Sequence, residues 1–448
     1  MSQNLSEIAE QCLDLARKNG AEDADILVVN GISESVDVES GKLEKVERSE
    51  GTDLGLRVLI GKRQACVSIS DLSKGAIQAM TERAVAMAKA APEDSYCGLA
   101  EEGELGSKRD AAGLDLFDPS NPPSSEKLLD AALSAEAYAL EVKGVSKAQG
   151  ASSGYSQTEV HILTSGGFSG GYRRSGYSTS CVAIAGEGLA MERDWAGEMR
   201  IYASDVPAPE EIGTLAGERA VERFGAGRAP KGSYPVLFDE RVSSSLIGHL
   251  MSAINGLSIT RGSSFLKDAM GAQILPKGMD LFEEPLRPRI SGSKPFDAEG
   301  LETARRAIIE DGELKTWTLD LATARQLGMR STANAARGVT SPPNPSAGNL
   351  SLSQSTKSKE DLMKEMGSGL LVTSMIGSTI NPNTGDYSRG AAGMWVENGE
   401  PQYPVNELTI ASNLREMFLT MTPANDARDH LSRLVPSLLI ESMTIASS

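Results

Sequence analysis

Short stretches of alternating apolar and polar residues, punctuated by turn dipeptides, fill residues 25–70 and 146–204 and return after Tyr234. A period of two puts one set of side chains on a buried face and the other on an exposed face. It therefore restricts the chain to half-buried strands joined by tight hairpins. Asn30-Gly31, Ser40-Gly41 and Gly61-Lys62 divide the first block, and Asp311-Gly312 and Asn398-Gly399 divide the last. Such pairs accept the positive φ angles of two-residue hairpin turns. Nothing alternates strand with helix in the manner of a doubly wound sheet. The expected fold class is α+β, with antiparallel sheets and hairpins and with helices packed on the sheets.

Helical spacing marks the intervening segments. Leu5, Ile8, Ala9, Cys12 and Ala16 form one apolar stripe, stopped by Asn19-Gly20. Ile77, Met80, Ala84, Met87, Ala88 and Ala91 form a second, which ends before Pro92. Residues 126–142 and 209–224 also read as helices, and residues 93–123 as a surface connection rich in Pro, Gly, Ser and acids. The Gly/Pro-rich stretch 225–231 is a hinge, after which Tyr234–Phe238 begins a new strand. Two domains are expected, 1–230 and 231–448. Residues 338–358 read as a long Pro/Asn/Ser loop.

Composition removes several functions. Lys plus Arg number 44 against 61 Asp plus Glu, a net charge of −17 that opposes phosphate neutralisation and so direct nucleic-acid binding. No apolar run approaches the roughly 20 residues that cross a bilayer. The opening residues lack the basic and apolar regions of a secretory signal, so a cytoplasmic location is expected. Cys12, Cys66, Cys97 and Cys181 have irregular spacings without a CxxC pair, as suits free buried thiols in a reducing compartment.

Metal donors are scarce. His161, His249 and His430 stand far apart, so no HExxH pair can be written, and no cysteine follows Cys181. Gly167-Phe-Ser169-Gly-Gly171 matches the G-x-S-x-G nucleophile elbow in letters. The elbow needs a helix directly after it, whereas Tyr172–Ser180 alternates as a strand, so a hairpin connection is the better reading. His249 shares a helical face with Val242, Leu246 and Ala253, which favours a packed, hydrogen-bonded core histidine. The segments 262–264 and 385–390 offer amides, a carboxylate and a guanidinium within a few residues. They suit peptide or anion binding, or equally a tight turn capped by Asp386.

Residues 247–268, 381–399, 403–414 and 436–445, together with Ser40–Glu44 and Gly55–Arg63, resemble the PmbA/TldE half of the TldD/TldE metallopeptidase family, once described as modulators of DNA gyrase. The resemblance runs over nearly the whole chain and implies that the second domain is groove-forming. In the related TldD subunit an HExxxH helix and a later cysteine hold zinc, and the glutamate is the base for a metal-activated water. Aligned with that motif, Ser244-Ser-Leu-Ile-Gly-His249 retains only its last histidine. The resemblance thus implies no metal, cofactor or catalytic residue in this chain, with zinc in a TldD-like partner. It implies a subunit of a peptidase heterodimer that is not catalytic alone, with a homodimer a possible form in isolation. Extended, unfolded or shortened peptides are the implied substrates. His249, Arg261, Asp386, Tyr387 and Arg389 are the candidates for lining the shared groove or the interface. The alternatives are a peptidase active as a homodimer and a protein that binds DNA gyrase.

Overall fold

A computed structural model describes residues 4–447 of the chain. The first part comprises α1 (Leu5–Lys18), β1 (Asp23–Glu39), β2 (Lys42–Ile60), β3 (Arg63–Ile69) and α2 (Lys74–Ala90). It continues with α3 (Ser125–Glu141), β4 (Val145–Thr164), β5 (Ser169–Ala185), β6 (Glu192–Arg200) and α4 (Pro209–Glu222). The six strands form one antiparallel sheet in the order β3-β2-β1-β4-β5-β6.

Helix α1 is capped by Asn4, whose side chain accepts from the Ser6 amide, and its stripe of Leu5, Ile8, Ala9, Cys12, Leu13 and Ala16 is buried. That stripe and α2 cover Ile26, Val28, Leu54, Leu56 and Val58 of the sheet. Each large aliphatic side chain so buried contributes about 1.5–3 kcal/mol. Helices α3 and α4 cover the same sheet further along and meet through small residues, among them Ala132, Ala135, Ala139, Ala216 and Ala220. In β4 and β5 the odd positions Ala151, Tyr155, Tyr177 and Cys181 are buried. The even positions Ser152, Gly154, Ser178 and Ser180 are half-buried on the face opposite α3 and α4.

The second part begins with β7 (Gly232–Phe238), α5 (Glu240–Ala253), α6 (Gly256–Thr260), β8 (Leu281–Glu283), β9 (Arg306–Glu310), β10 (Glu313–Leu314) and α7 (Leu321–Leu327). Short strands β11 (Ala335–Ala336), β12 (Asn344–Pro345) and β13 (Leu350–Leu352) precede α8 (Lys359–Met366). The long β14 (Gly369–Ile380), β15 (Asp386–Glu397) and β16 (Glu400–Asn413) lead to α9 (Leu414–Thr420), β17 (Thr422–Pro423), β18 (Arg433–Leu434) and β19 (Leu438–Ser447). The main sheet has the order β16-β15-β14-β7-β19-β17, and β14 runs parallel to β7. A core that includes Phe238, Leu246, Leu250, Tyr387, Trp395 and Ile440 lies against it.

The fold is α+β, as expected. Ser40-Gly41, Asp311-Gly312 and Asn398-Gly399 are two-residue turns with both φ angles positive. Asn30-Gly31 is not a turn, because β1 runs straight through it. Asn30 pairs with Thr52 and Glu159, Gly31 with Gly51 and Thr158, and this ladder on both sides outweighs the local preference. The expected loop at 338–358 contains β12 and β13. Cys12, Cys97 and Cys181 are buried thiols, whereas Cys66 is half-buried.

Ion pairs cross from the first sheet to the second part. The buried Asp25 carboxylate takes the Arg57 Nε at 2.6 Å and also the Arg337 guanidinium. Arg241 at the start of α5 reaches Asp194 of β6 at 2.6 Å. Arg428 bridges Glu198 and Glu240 at 3.1 and 2.8 Å.

Candidate functional site

Helix α5 starts at Asp239, whose side chain accepts from the Arg241 amide and lies 3.0 Å from the Lys359 Nζ. Leu246, Ile247, Leu250 and Met251 pack into the core, which fixes the rotation of the helix and turns His249 toward β15, with Ser245 one turn earlier on the same side of the helix. Strand alternation places Tyr387 and Arg389 on one face of β15 and Asp386 on the other. The His249 ring meets the Tyr387 ring edge-on, with centroids 5.9 Å apart. Tyr387 Oη donates to Met375 Sδ at 3.5 Å, and Arg389 Nε donates to the Gly377 carbonyl at 2.7 Å.

Burial foremost, and then the charge of Arg389, push His249 down to about 4, so the imidazole is neutral at pH 7. Burial pushes the Tyr387 hydroxyl up to about 12. His249 is not the hydrogen-bonded core histidine expected from its helical face: its Nε2 is buried without a hydrogen-bond partner among the described residues. The same is true of Ser245 Oγ, one turn earlier. Two unpartnered buried polar atoms at i and i+4 are costly, and sites that carry such a cost are often functional. The i,i+4 spacing was visible in the sequence, but nothing there indicated that both atoms would lack partners.

Of the five candidates, the structure brings together His249, Tyr387 and Arg389. Asp386 is exposed and accepts from the Thr384 hydroxyl at 2.6 Å and the Asn413 amide at 3.2 Å, the local capping role. Arg261 is an exposed residue that closes α6, with its amide donating to Leu257 O.

Beside this cluster a groove of about 730 Å³ separates Thr373–Ile376 of β14 and Arg241 of α5 from the open face and edge of the first sheet, including Ser152, Ser180 and Trp195. Trp195 is 56% and Ile376 74% exposed at this groove. Pairing of β14 with β7 ends at Val372, so among the described residues that edge of Thr373–Ile376 has no strand partner.

A catalytic zinc needs three protein donors and an open position. On α5 the aligned positions supply one imidazole and the hydroxyls of Ser244 and Ser245, which do not replace an imidazole and a carboxylate. Among the described residues no group of three His, Cys, Asp or Glu converges to hold a metal ion. The residues present do not fit a hydrolytic zinc. Ser169 Oγ lies 3.2 Å from His161 Nε2 but opens β5 directly, without the helix of a nucleophile elbow.

Models of the PmbA/TldA metallopeptidase match in three parts: domain 1 over residues 24–88, the central domain over 118–224 and the C-terminal domain over 231–447. The chain is 37% identical to the metalloprotease PmbA of Escherichia coli O157:H7, over 99% of this chain and 96% of that one. It is 35% identical to a metalloprotease PmbA homolog of Haemophilus influenzae, over 100% and 97% of the two chains. A Bacteroides thetaiotaomicron protein designated a modulator of DNA gyrase superposes with a TM-score of 0.91 at 25% identity, covering 100% of both chains. TldE from Thermococcus kodakarensis shares the fold with a TM-score of 0.85 at 20% identity, over 98% and 100%. Fold and sequence define a metallopeptidase-like α+β protein. The chain belongs to the PmbA/TldD family. No helix among its described residues is long and apolar enough to cross a membrane.

Proposed function

We propose that this chain is the zinc-lacking, TldE/PmbA-like partner of a TldD-like subunit, and that the pair degrades unfolded or short peptides in the cytoplasm. Residues 1–230 and 231–448 act as its two domains, with the groove between them. The observation that carries the reading is the donor set of α5: one neutral imidazole, His249, beside the hydroxyls of Ser244 and Ser245. In the partner, zinc supplies an activated water for amide hydrolysis. In this chain the unpaired edge of Thr373–Ile376 offers main-chain donors and acceptors to an extended peptide irrespective of its side chains. Tyr387 and Arg389 contact this strand through Met375 and Gly377, and His249 packs edge-on against Tyr387.

The test compares peptide hydrolysis by this chain, by a TldD-like partner and by the co-expressed pair. Activity confined to the pair is expected. Hydrolysis by this chain alone, or stoichiometric zinc on the isolated chain, overturns the reading.

A further inference from the structure

A second cavity, of about 260 Å³, lies where the open face of the first sheet meets the second part of the chain. Arg174, Arg200, Arg289 and His430 line it together with the hydroxyl-bearing Ser156 and Ser291, and none of its lining residues is acidic. In a chain of net charge −17, three guanidiniums thus converge on one small cavity. Two of them bring their own carboxylates: Arg200 Nη1 lies 2.6 Å from Glu198, and Arg289 Nη1 lies 3.0 Å from Asp205. Arg174 has no ion pair among the described residues. Its Nη2 donates to the Ser293 carbonyl at 2.6 Å, and its Nε is buried with no hydrogen-bond partner among the described residues. Arg289 sits at φ +56, a left-handed conformation uncommon for such a residue and often retained at functional sites.

The cavity opens along the sheet. On β4 it touches Ser156 and Thr158, while the groove beside α5 touches Gly150–Ser152 of the same strand. Their centres on this strand are about six residues apart, or about 20 Å, a distance spanned by an extended peptide of similar length, and their nearest lining residues, Ser152 and Ser156, are four positions apart. Between them lie Gly154 and Ser178, small half-buried residues, with the exposed Met199 alongside.

We infer that the Arg174 cavity is a carboxylate-binding site that takes the C-terminal carboxylate of an extended peptide lying across the open face of the first sheet. The inference rests on the proposed peptide role and adds an end-anchoring subsite to it. A planar guanidinium pairs with a carboxylate through two parallel N–H···O bonds, and the surplus charge of Arg174 is the one such a ligand neutralises.

Binding to the isolated full-length chain is measured by calorimetry at low salt, with an acetylated alanine/serine hexapeptide bearing a free C-terminal carboxylate, its C-terminal amide, and inorganic phosphate. The acid is expected to bind about tenfold or more tightly than the amide. Arg174→Gln should abolish that preference. Ser156→Asp, at an exposed position, places a carboxylate in the cavity and should do the same should the first variant fail to fold. Equal binding of acid and amide overturns the inference. Phosphate binding that depends on Arg174, without any preference for the acid, also overturns it and identifies an inorganic-anion site. The assay needs no hydrolysis, so failure of the two-subunit peptidase reading shows separately, in the co-expression experiment.

Discussion

Asp25→Asn tests how firmly the first sheet is tied to the rest of the chain. Asp25 and Arg57 are 1% and 3% exposed, and the Arg337 side chain is 2% exposed. One carboxylate therefore compensates two buried guanidiniums, with Arg57 also in the field of Glu299. Burial alone brings Arg337 down to about 10. Removing the carboxylate charge leaves both cations buried and mutually repelling, a loss of about 3–5 kcal/mol. Arg337→Met should cost less, about 1–3 kcal/mol, because Asp25 keeps its 2.6 Å contact with Arg57 Nε. Urea unfolding at pH 7.5 reads both, through Trp195 in the first sheet and Trp395 in the main sheet of the second part. With a slope of about 3 kcal/mol/M, the Asp25→Asn midpoint should fall by about 1–1.7 M. A loss below about 1 kcal/mol, or a larger loss for Arg337→Met, refutes the reasoning.

Glu299 is held up to about 8 by burial, reinforced by Asp297 and Asp320 and opposed by Arg57. An unfolded glutamate titrates near 4.3, so between the two values the folded chain keeps a proton that the unfolded chain has lost. The stabilisation from this group is complete below the unfolded value and is lost as pH rises toward about 8. Melting temperatures should therefore shift against the wild type, relative to Glu299→Gln, between pH 5 and 8.5; a constant difference refutes this. A Cβ on Gly213 of α4 would lie 2.0 Å from the Ala135 carbonyl of α3, whereas one on Gly31 meets nothing within 4 Å. Gly213→Ala should cost about 1–3 kcal/mol and Gly31→Ala less than about 1 kcal/mol, compared by chemical denaturation. Equal losses would show that the helices adjust freely.

Much of the architecture was legible because period-two and helical patterns are local. The stripe from Leu5 to Ala16, the Ser40-Gly41 turn and the Asn398-Gly399 turn each needed only neighbouring residues to be read. Asn30-Gly31 misled because the deciding interactions come from Thr52 and Glu159, far away in the chain. The short strands inside 338–358 escaped for the same reason: Leu350 pairs with Glu283 and Arg433. At the site, His249 and Tyr387 were singled out by resemblance to a family, but their edge-on contact joins residues 138 positions apart. The orphaned Ser245 Oγ and the Arg174 cavity depend on which polar atoms lack partners. That property of packing has no signature in residue order.

The crossing of Arg337 to Asp25, with Arg241 reaching Asp194 and Arg428 reaching Glu198, has a mechanical meaning. Three ties at separate places, the Asp25 one fully buried, oppose a hinge-like parting of the two walls of the cleft. On the proposed peptide role, entry would then be lengthwise, which favours a chain end or a slack segment over a compact globule.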